Sequence, residues 1–81
     1  MEISNFTMIK ETGSDPLYRT SIAEVDVTTR RLFRKRTERR RICRVGVSAY
    51  WFFMDTGEFT PGVQVECLER AYRANLEFGT L

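Results

Sequence analysis

The chain has 81 residues, of which 42% are hydrophobic and 30% charged, and its formal net charge is +2. A chain of this length forms one small domain that buries only about 60% of its unfolded surface, so we treat residues 1–81 as a single domain. Its hydrophobic content argues against intrinsic disorder. No apolar run approaches membrane-spanning length, and the first residues contain acids where a secretory signal has basic residues. We therefore expect a cytoplasmic protein that does not bind membranes.

Several kinds of chemistry lack the residues that they need. The chain has no histidine, so a Ser or Cys nucleophile would have no imidazole base and a zinc site would lack ligands. It also has no Gly-rich phosphate loop. We interpret Cys43 and Cys67 as reduced packing residues, and Asp55 and Glu58, which flank Gly57, as turn residues rather than an acid–base pair. We expect no enzyme activity, cofactor, metal ion or small-molecule substrate.

The pattern of apolar residues predicts an α+β fold with the element order β-β-β-α. A first strand at about 3–10 precedes a turn at Thr12-Gly13-Ser14-Asp15-Pro16. A second strand at about 20–36 and a third at about 40–54 alternate apolar residues onto one face. The three strands are expected to form an antiparallel meander, with one amphipathic helix packed on a face.

The register of the long second hairpin follows from placing both apolar sets on one face. This pairs Val25 with Trp51, Thr29 with Val47 and Phe33 with Cys43, and it predicts a loop near Thr37-Glu38-Arg39. The loop contains no Gly or Asn for a left-handed turn position. The alternative is an Arg-rich helix over 28–44, since Arg is a good helix former, although no continuous apolar stripe supports it.

The C-terminal helix is predicted at about 61–77. Thr60 is expected to cap it, with Pro61 at the first helical position and Gly79 at the C-terminal cap. Apolar residues then recur at helical spacing. These residues are Val65, Leu68, Ala71, Tyr72 and Leu76.

The segment from Arg30 to Arg44 reads RRLFRKRTERRRICR and is the strongest functional signal in the chain. It holds nine basic residues and one acid, a charge of +8, whereas the remainder of the chain sums to −6. Charge sorted in this way indicates a polyanion or an acidic protein surface as the partner. Eight of the nine are Arg, whose planar guanidinium binds phosphate in a fork geometry. The residues that we expect to bind nucleic acid or a partner are Arg30, Arg34, Lys35, Arg36, Arg39, Arg40, Arg41 and Arg44.

The predicted register distributes this charge over both faces of the hairpin. Five residues are expected on the face away from the helix, and Arg31, Lys35 and Arg41 on the other, with the stem of Arg31 packing near the core. Like charges opposite one another, such as Arg36 and Arg40 or Lys35 and Arg41, destabilise a bare hairpin, so a counter-charge would stabilise it. The five residues on the far face are Arg30, Arg34, Arg36, Arg40 and Arg44. A solvated, charged strand that blocks aggregation is the competing interpretation.

The run Tyr50-Trp51-Phe52-Phe53-Met54 is apolar on both strand faces. Trp51 and Phe53 are assigned to the core, whereas Tyr50, Phe52 and Met54 point the other way. Three alternatives are open for these side chains: the N-terminal segment covers them, they form a protein interface or homodimer contact, or they stack on bases.

The sequence thus favours a small non-enzymatic protein that binds the phosphate backbone of DNA or RNA through its Arg-rich hairpin. The alternative is a regulator or inhibitor of the type that mobile elements encode, which binds a protein such as a nucleic-acid-handling enzyme. It would use the basic hairpin or the Tyr50/Phe52/Met54 face. A structural subunit of a larger assembly is a third class.

Overall fold

In the computed structural model, which describes residues 1–15, 17–46 and 50–78, an antiparallel sheet carries one C-terminal helix on one face. The α+β class is confirmed, but the sheet has four strands in the order β1-β2-β3-β4 rather than three. The elements are β1 (Glu2–Thr12), β2 (Thr20–Arg31), β3 (Arg34–Val45), β4 (Phe52–Phe53) and α1 (Gly62–Phe78). Because residues 28–31 and 34–44 are strand, the alternative Arg-rich helix is wrong.

The predicted third strand, 40–54, is in fact two strands that run in opposite directions. β3 ends at Val45, and β4 returns antiparallel to it, with Phe53 opposite Ile42. Gly46 makes the break: it has a φ of 84°, and its N–H donates to the Arg19 carbonyl at 2.7 Å. A Cβ at this position would lie 3.0 Å from the Leu17 carbonyl oxygen, so only glycine fits here. The predicted roles of Val47 and Ala49 fall outside the described residues, as do those of Pro16 and Gly79.

The predicted register of the β2–β3 hairpin is also wrong. The strands pair continuously from Thr20 with Val45 to Arg31 with Arg34, and Leu32 and Phe33 form a two-residue turn. Leu32 has a φ of 54°, the positive value that a type II′ turn requires at its first central position. The turn therefore lies five residues before the expected one, and Thr37-Glu38-Arg39 belongs to β3.

This shift reverses the faces of β3 relative to β2. Ala23, Val25 and Val27 of β2 now share the helix-covered face with the even-numbered residues of β3, of which only Ile42 is a buried apolar residue. The even-numbered arginines of β3, which are Arg34, Arg36, Arg40 and Arg44, therefore lie on the helix side, whereas the prediction placed them on the opposite face; Arg30 of β2 lies on that opposite face as predicted. Trp51 and Phe53 still reach the core as predicted, being 2% and 1% exposed, because the returning chain and β4 bring them there.

Two irregularities in β1 keep three of its apolar side chains on the helix side. The pairing with β2 shifts between Ser4 and Thr7 and again between Met8 and Lys10, one extra β1 residue each time. Asn5, with a φ of 53°, lies in the first shift. The strand therefore does not alternate strictly, and Ile3, Phe6 and Met8 all contact the core.

The core lies between the sheet and α1. It contains Ile3, Phe6, Ala23, Val25, Val27, Ile42, Trp51, Phe53 and Val65, with Met8, Leu68 and Tyr72 at its edge. The Phe6 ring makes edge-to-face contacts with Trp51 and Tyr72, both at 5.6 Å between centroids. Cys43 is buried on the other sheet face and burial raises its pKa, whereas Cys67 is exposed and does not pack as expected.

The helix begins one residue later than predicted. The Pro61 carbonyl accepts the first helical hydrogen bond, from Val65 N–H at 3.2 Å, so Pro61 is the N-cap rather than the first helical residue. The Thr60 hydroxyl does not cap the helix but donates to the Trp51 carbonyl at 3.0 Å. Val65, Leu68 and Tyr72 face the sheet as predicted, whereas Ala71 and Leu76 are exposed.

Candidate functional site

The nine basic residues of the 30–44 segment fall into two groups that the sequence does not distinguish. Four of them form salt bridges with carboxylates of the same chain: Arg39, Arg40, Arg41 and Arg44. The other five have no ion pair or side-chain hydrogen bond within residues 1–15, 17–46 and 50–78, and all five are exposed: Arg30, Arg31, Arg34, Lys35 and Arg36. The available charge is therefore concentrated at the end of the hairpin.

Arg39 and Arg41 are neutralised on the sheet face that the helix does not cover. The Arg39 guanidinium lies 3.3 Å from both Glu24 and Asp26 of the neighbouring strand, and Arg41 lies 3.3 Å from Glu24. Arg39 also donates to the carbonyl of Asn5 at 2.6 Å. The pKa of Asp26 is lowered, first by the hydrogen bond from Asn5 and then by Arg39. These two arginines therefore bind acids of their own sheet.

Arg40 and Arg44 lie on the helix side and complete the core with their guanidinium planes. Arg40 stacks on the Phe53 ring at 3.9 Å and pairs with Asp55 at 2.7 Å. The Asp55 pKa is lowered mainly by this hydrogen bond. Arg44 stacks on the Trp51 ring at 4.6 Å. Both positions are structural, since the cation–π contact and the ion pair use the charge within the fold.

Glu69 is the acid that holds Arg44, and it is only 8% exposed. It accepts two hydrogen bonds from Arg44, at 2.7 and 2.8 Å, and two from Arg73, at 3.1 and 3.0 Å. Burial by itself would raise the pKa of Glu69, but the hydrogen bonds from Arg44 and Arg73 outweigh it, so the pKa is lowered. Arg73 also pairs with Glu11 at 2.5 Å. The network joins β1, β3 and α1, and it gives Glu69 a buried structural role that helical spacing alone does not indicate.

The distal part of the hairpin, residues 28–37, is the candidate site, and we call it the basic tip. It contains the five available cations and no acid, which gives it a charge of +5. Arg31 lies opposite Arg34, and Arg30 lies opposite Lys35. Like charges directly opposite one another are destabilising. The predicted repulsion is therefore present, but between different pairs from those expected, and Arg31 is exposed rather than packed near the core.

The extreme end of the basic tip is apolar, a feature that sequence analysis did not single out. Leu32 and Phe33 are 98% and 104% exposed, so neither side chain packs against the described part of the chain. Leu32 also adopts a positive φ, which is costly for a residue with a Cβ. The signal that could have identified the turn, an apolar pair inside a run of arginines, is not one of the residue pairs typical of tight turns.

The helix-facing side of the basic tip is concave. Thr29, Arg31, Arg34, Arg36 and Glu38 line this surface, which encloses about 450 Å³. Three of the five available cations thus line one hollow, and the other two, Arg30 and Lys35, lie on the opposite face of the ribbon. With Glu38 included, the lining has a net charge of +2, and a cleft with an excess of one sign of charge raises the local concentration of counter-ions.

The three predicted interface residues lie in two environments. Tyr50 is 65% exposed and packs edge-to-face on Phe59 at 6.2 Å, and both rings line a groove with Val63 at the start of α1. Phe52 is partly buried opposite Cys43, on the helix-free face, and Met54 is 47% exposed. Sequence analysis did not include Phe59 and Val63, which are 71% and 77% exposed.

The described ranges hold no cluster of three or more His, Cys, Asp or Glu residues that could bind a metal ion. No helix within them is long and apolar enough to cross a membrane. Comparison with models of protein families, with curated proteins and with solved structures finds no significant match.

Proposed function

We propose that this protein is a small, non-enzymatic nucleic-acid-binding protein whose basic tip contacts the phosphate backbone. The observation that supports it is the separation of the basic residues into four that are paired within the fold and five that are not. A +5, acid-free ribbon end is costly to maintain without a counter-ion, because its cross-strand pairs carry like charges. Phosphates along a nucleic acid supply that counter-charge in series.

The arrangement of the basic tip favours a phosphate backbone over an acidic protein surface. Four of its five cations are Arg, whose planar donors bind phosphate and carboxylate alike in a bidentate manner, so the distinction rests on where the cations lie. They lie on both faces of a two-stranded ribbon, and one face is concave. A two-stranded ribbon is also an element that the major groove of B-DNA can admit.

The proposal is tested by removing three tip charges without touching the paired arginines. In the first variant, Arg34, Lys35 and Arg36 are replaced by Gln. In the control, three exposed or partly exposed cations outside the tip are replaced by Gln, namely Lys10, Arg19 and Arg70, so both variants lose the same net charge. Binding to duplex DNA, duplex RNA and single strands is measured by fluorescence anisotropy at about 0.1 M salt.

The tip variant is expected to lose affinity by roughly 100-fold or more, because each lost phosphate contact removes close to one decade at this ionic strength. The control is expected to remain within a few-fold of wild type. Equal losses in the two variants would show that only net charge matters. No binding by the wild type would refute the proposed function itself.

A second candidate function is docking onto a protein partner, and the groove at Tyr50, Phe59 and Val63 favours it. Exposed aromatic residues beside a polar rim are typical of interface centres. A partner retained after nuclease treatment and lost in Phe59→Asp would support this function. A partner that is lost on nuclease treatment alone would support nucleic-acid binding.

A further inference from the structure

We propose that Leu32 and Phe33 act as an apolar wedge that enters between neighbouring base pairs of duplex DNA when the basic tip binds. This inference rests on the proposed function and adds to it what the end of the tip does. Phosphate contacts explain the five cations, but they do not explain two fully exposed apolar side chains at the end of the ribbon.

The turn itself is the first reason. A two-residue hairpin turn with positive φ at its first position normally has Gly there. In this chain Leu32 occupies the position at φ 54° and is 98% exposed, so it gains no packing that would offset the strain. Phe33 is equally exposed. Neither side chain stabilises the fold, whereas both are in position to contact a partner.

The distances along the ribbon are the second reason. Arg31 and Arg34 flank the turn, and Arg36 lies three residues behind Phe33, or roughly 10 Å along a strand. The grooves of B-DNA are about 8 Å deep. When the turn touches the base pairs at the floor of a groove, Arg36 is therefore level with the phosphates at the groove edge, whereas the backbones of Arg31 and Arg34, next to the turn, lie deeper in the groove. Apolar side chains that minor-groove-binding proteins insert between base pairs partly unstack the base step and kink the duplex.

The charge distribution favours DNA over an anionic lipid surface, which would also attract an apolar end with basic flanks. Arg31, Arg34 and Arg36 line a hollow, and the remaining two tip cations lie on the other face of the ribbon. Phosphates that stand on both sides of the ribbon meet both sets. Two apolar side chains also provide little area for insertion into a bilayer.

The experiment uses the full chain and a duplex of about 16 base pairs, roughly one and a half helical turns. The duplex carries 2-aminopurine beside a central TA step, which is among the most easily unstacked steps. The test variant combines Leu32→Gly with Phe33→Ser, which keeps every charge and gives the turn the residue that its backbone favours. Phe33→Trp is the matched variant that retains a stacking side chain.

Wild type and Phe33→Trp are expected to raise the 2-aminopurine fluorescence several-fold on binding. Leu32→Gly/Phe33→Ser is expected to bind with an unchanged salt dependence and about tenfold or more lower affinity, by the usual contribution of one base stack, and without the fluorescence rise. Wild-type binding without any rise would overturn the wedge and leave the proposed function intact. An equal rise with the double variant would do the same.

Vesicles containing phosphatidylserine form the last arm. Binding of wild type to these vesicles that depends on Leu32 and Phe33, with no distortion of DNA, would assign the apolar end to lipid and overturn the wedge. Failure of wild type to bind any nucleic acid would remove the proposed function together with the wedge. The salt-dependent binding curve therefore separates the two failures.

Discussion

The buried network around Glu69 allows the stability of this fold to be tested at one carboxylate. Glu69→Leu removes the acceptor of two short hydrogen bonds from Arg44, whose side chain is only 12% exposed. The Arg44 guanidinium would then lie on the Trp51 ring without a carboxylate, and its Nε already has no partner among the described residues. Leaving a buried charge unpaired costs about 3–5 kcal/mol. A domain of this length has a total stability of roughly 4–12 kcal/mol, so the loss is large.

The assay is urea unfolding followed by the fluorescence of the buried Trp51, with the slope m checked for constancy. Glu66→Leu is the control, because Glu66 is exposed on the same helix, and it is expected to change stability by only about 0.5 kcal/mol. Arg44→Met is the second arm, and combining it with Glu69→Leu removes both charges. The double variant is expected to be more stable than the sum of the single losses by about 2 kcal/mol or more.

Two results would refute this reasoning. One is a Glu69→Leu protein as stable as Glu66→Leu, which would mean that the Arg44 guanidinium becomes hydrated and does not remain buried without a partner. The other is strict additivity in the double variant, which would show that the two residues do not interact.

Three further predictions concern acid stability and the backbone. Glu69 and Glu11 have lowered pKa values in the fold. The stability that these two carboxylates give the fold is therefore present above the unfolded pKa, near 4.5, and is lost as the pH falls through their folded pKa values. The urea concentration at the unfolding midpoint should fall below about pH 4.5, and it should fall less steeply in Glu69→Leu. Gly46→Ala should cost about 1–2 kcal/mol more than Gly57→Ala, because both glycines have positive φ but only Gly46 has a backbone atom within 4 Å of an added Cβ; equal thermal midpoints would contradict this. Leu32→Gly should stabilise the hairpin by up to about 1 kcal/mol by relieving the positive φ, and a lower melting temperature would show that Leu32 packs.

The sequence was sufficient for features that depend on regular spacing. The helix was predictable because Val65, Leu68 and Tyr72 recur at its period. Trp51 and Phe53 were correctly assigned to the core, although the returning chain and β4 bring them there and not alternation along one strand. The expectation of paired strands around the basic segment was also sound. Each of these depends on residues whose apolar character and burial agree.

The register of the β2–β3 hairpin was not predictable because two local sequence rules, one for turns and one for strands, both fail in this chain. An apolar Leu32-Phe33 pair does not look like a turn, and Gly46 breaks a run that otherwise reads as one strand. Because Trp51 was assigned to the same strand face as Cys43, the prediction paired odd-numbered residues of β2 with odd-numbered residues of β3, whereas the structure pairs them with even-numbered ones. Arg40 and Arg44 can lie on the helix side because each guanidinium stacks on an aromatic ring and pairs with a carboxylate. A pattern of hydrophobic residues does not indicate such contacts.

The candidate site was predicted in outline and narrowed by the structure. Of the eight predicted binding residues, the structure leaves four available at the tip and pairs the other four with acids of the same chain. The acids that neutralise Arg39, Arg40, Arg41 and Arg44 lie far from them in sequence. Arg31, which was not among the eight, joins the available group because the shifted register places it beside the turn.

The salt dependence of duplex DNA binding tests the central claim most directly. If the five available cations each neutralise one phosphate, log K falls with log salt concentration with a slope of about −4.5. Replacing Arg34, Lys35 and Arg36 by Gln should reduce the slope to about −2, whereas the Lys10/Arg19/Arg70 control should keep the wild-type value. A slope near zero in the wild type, or the same slope in both variants, would contradict the assignment of the basic tip as the phosphate-binding element.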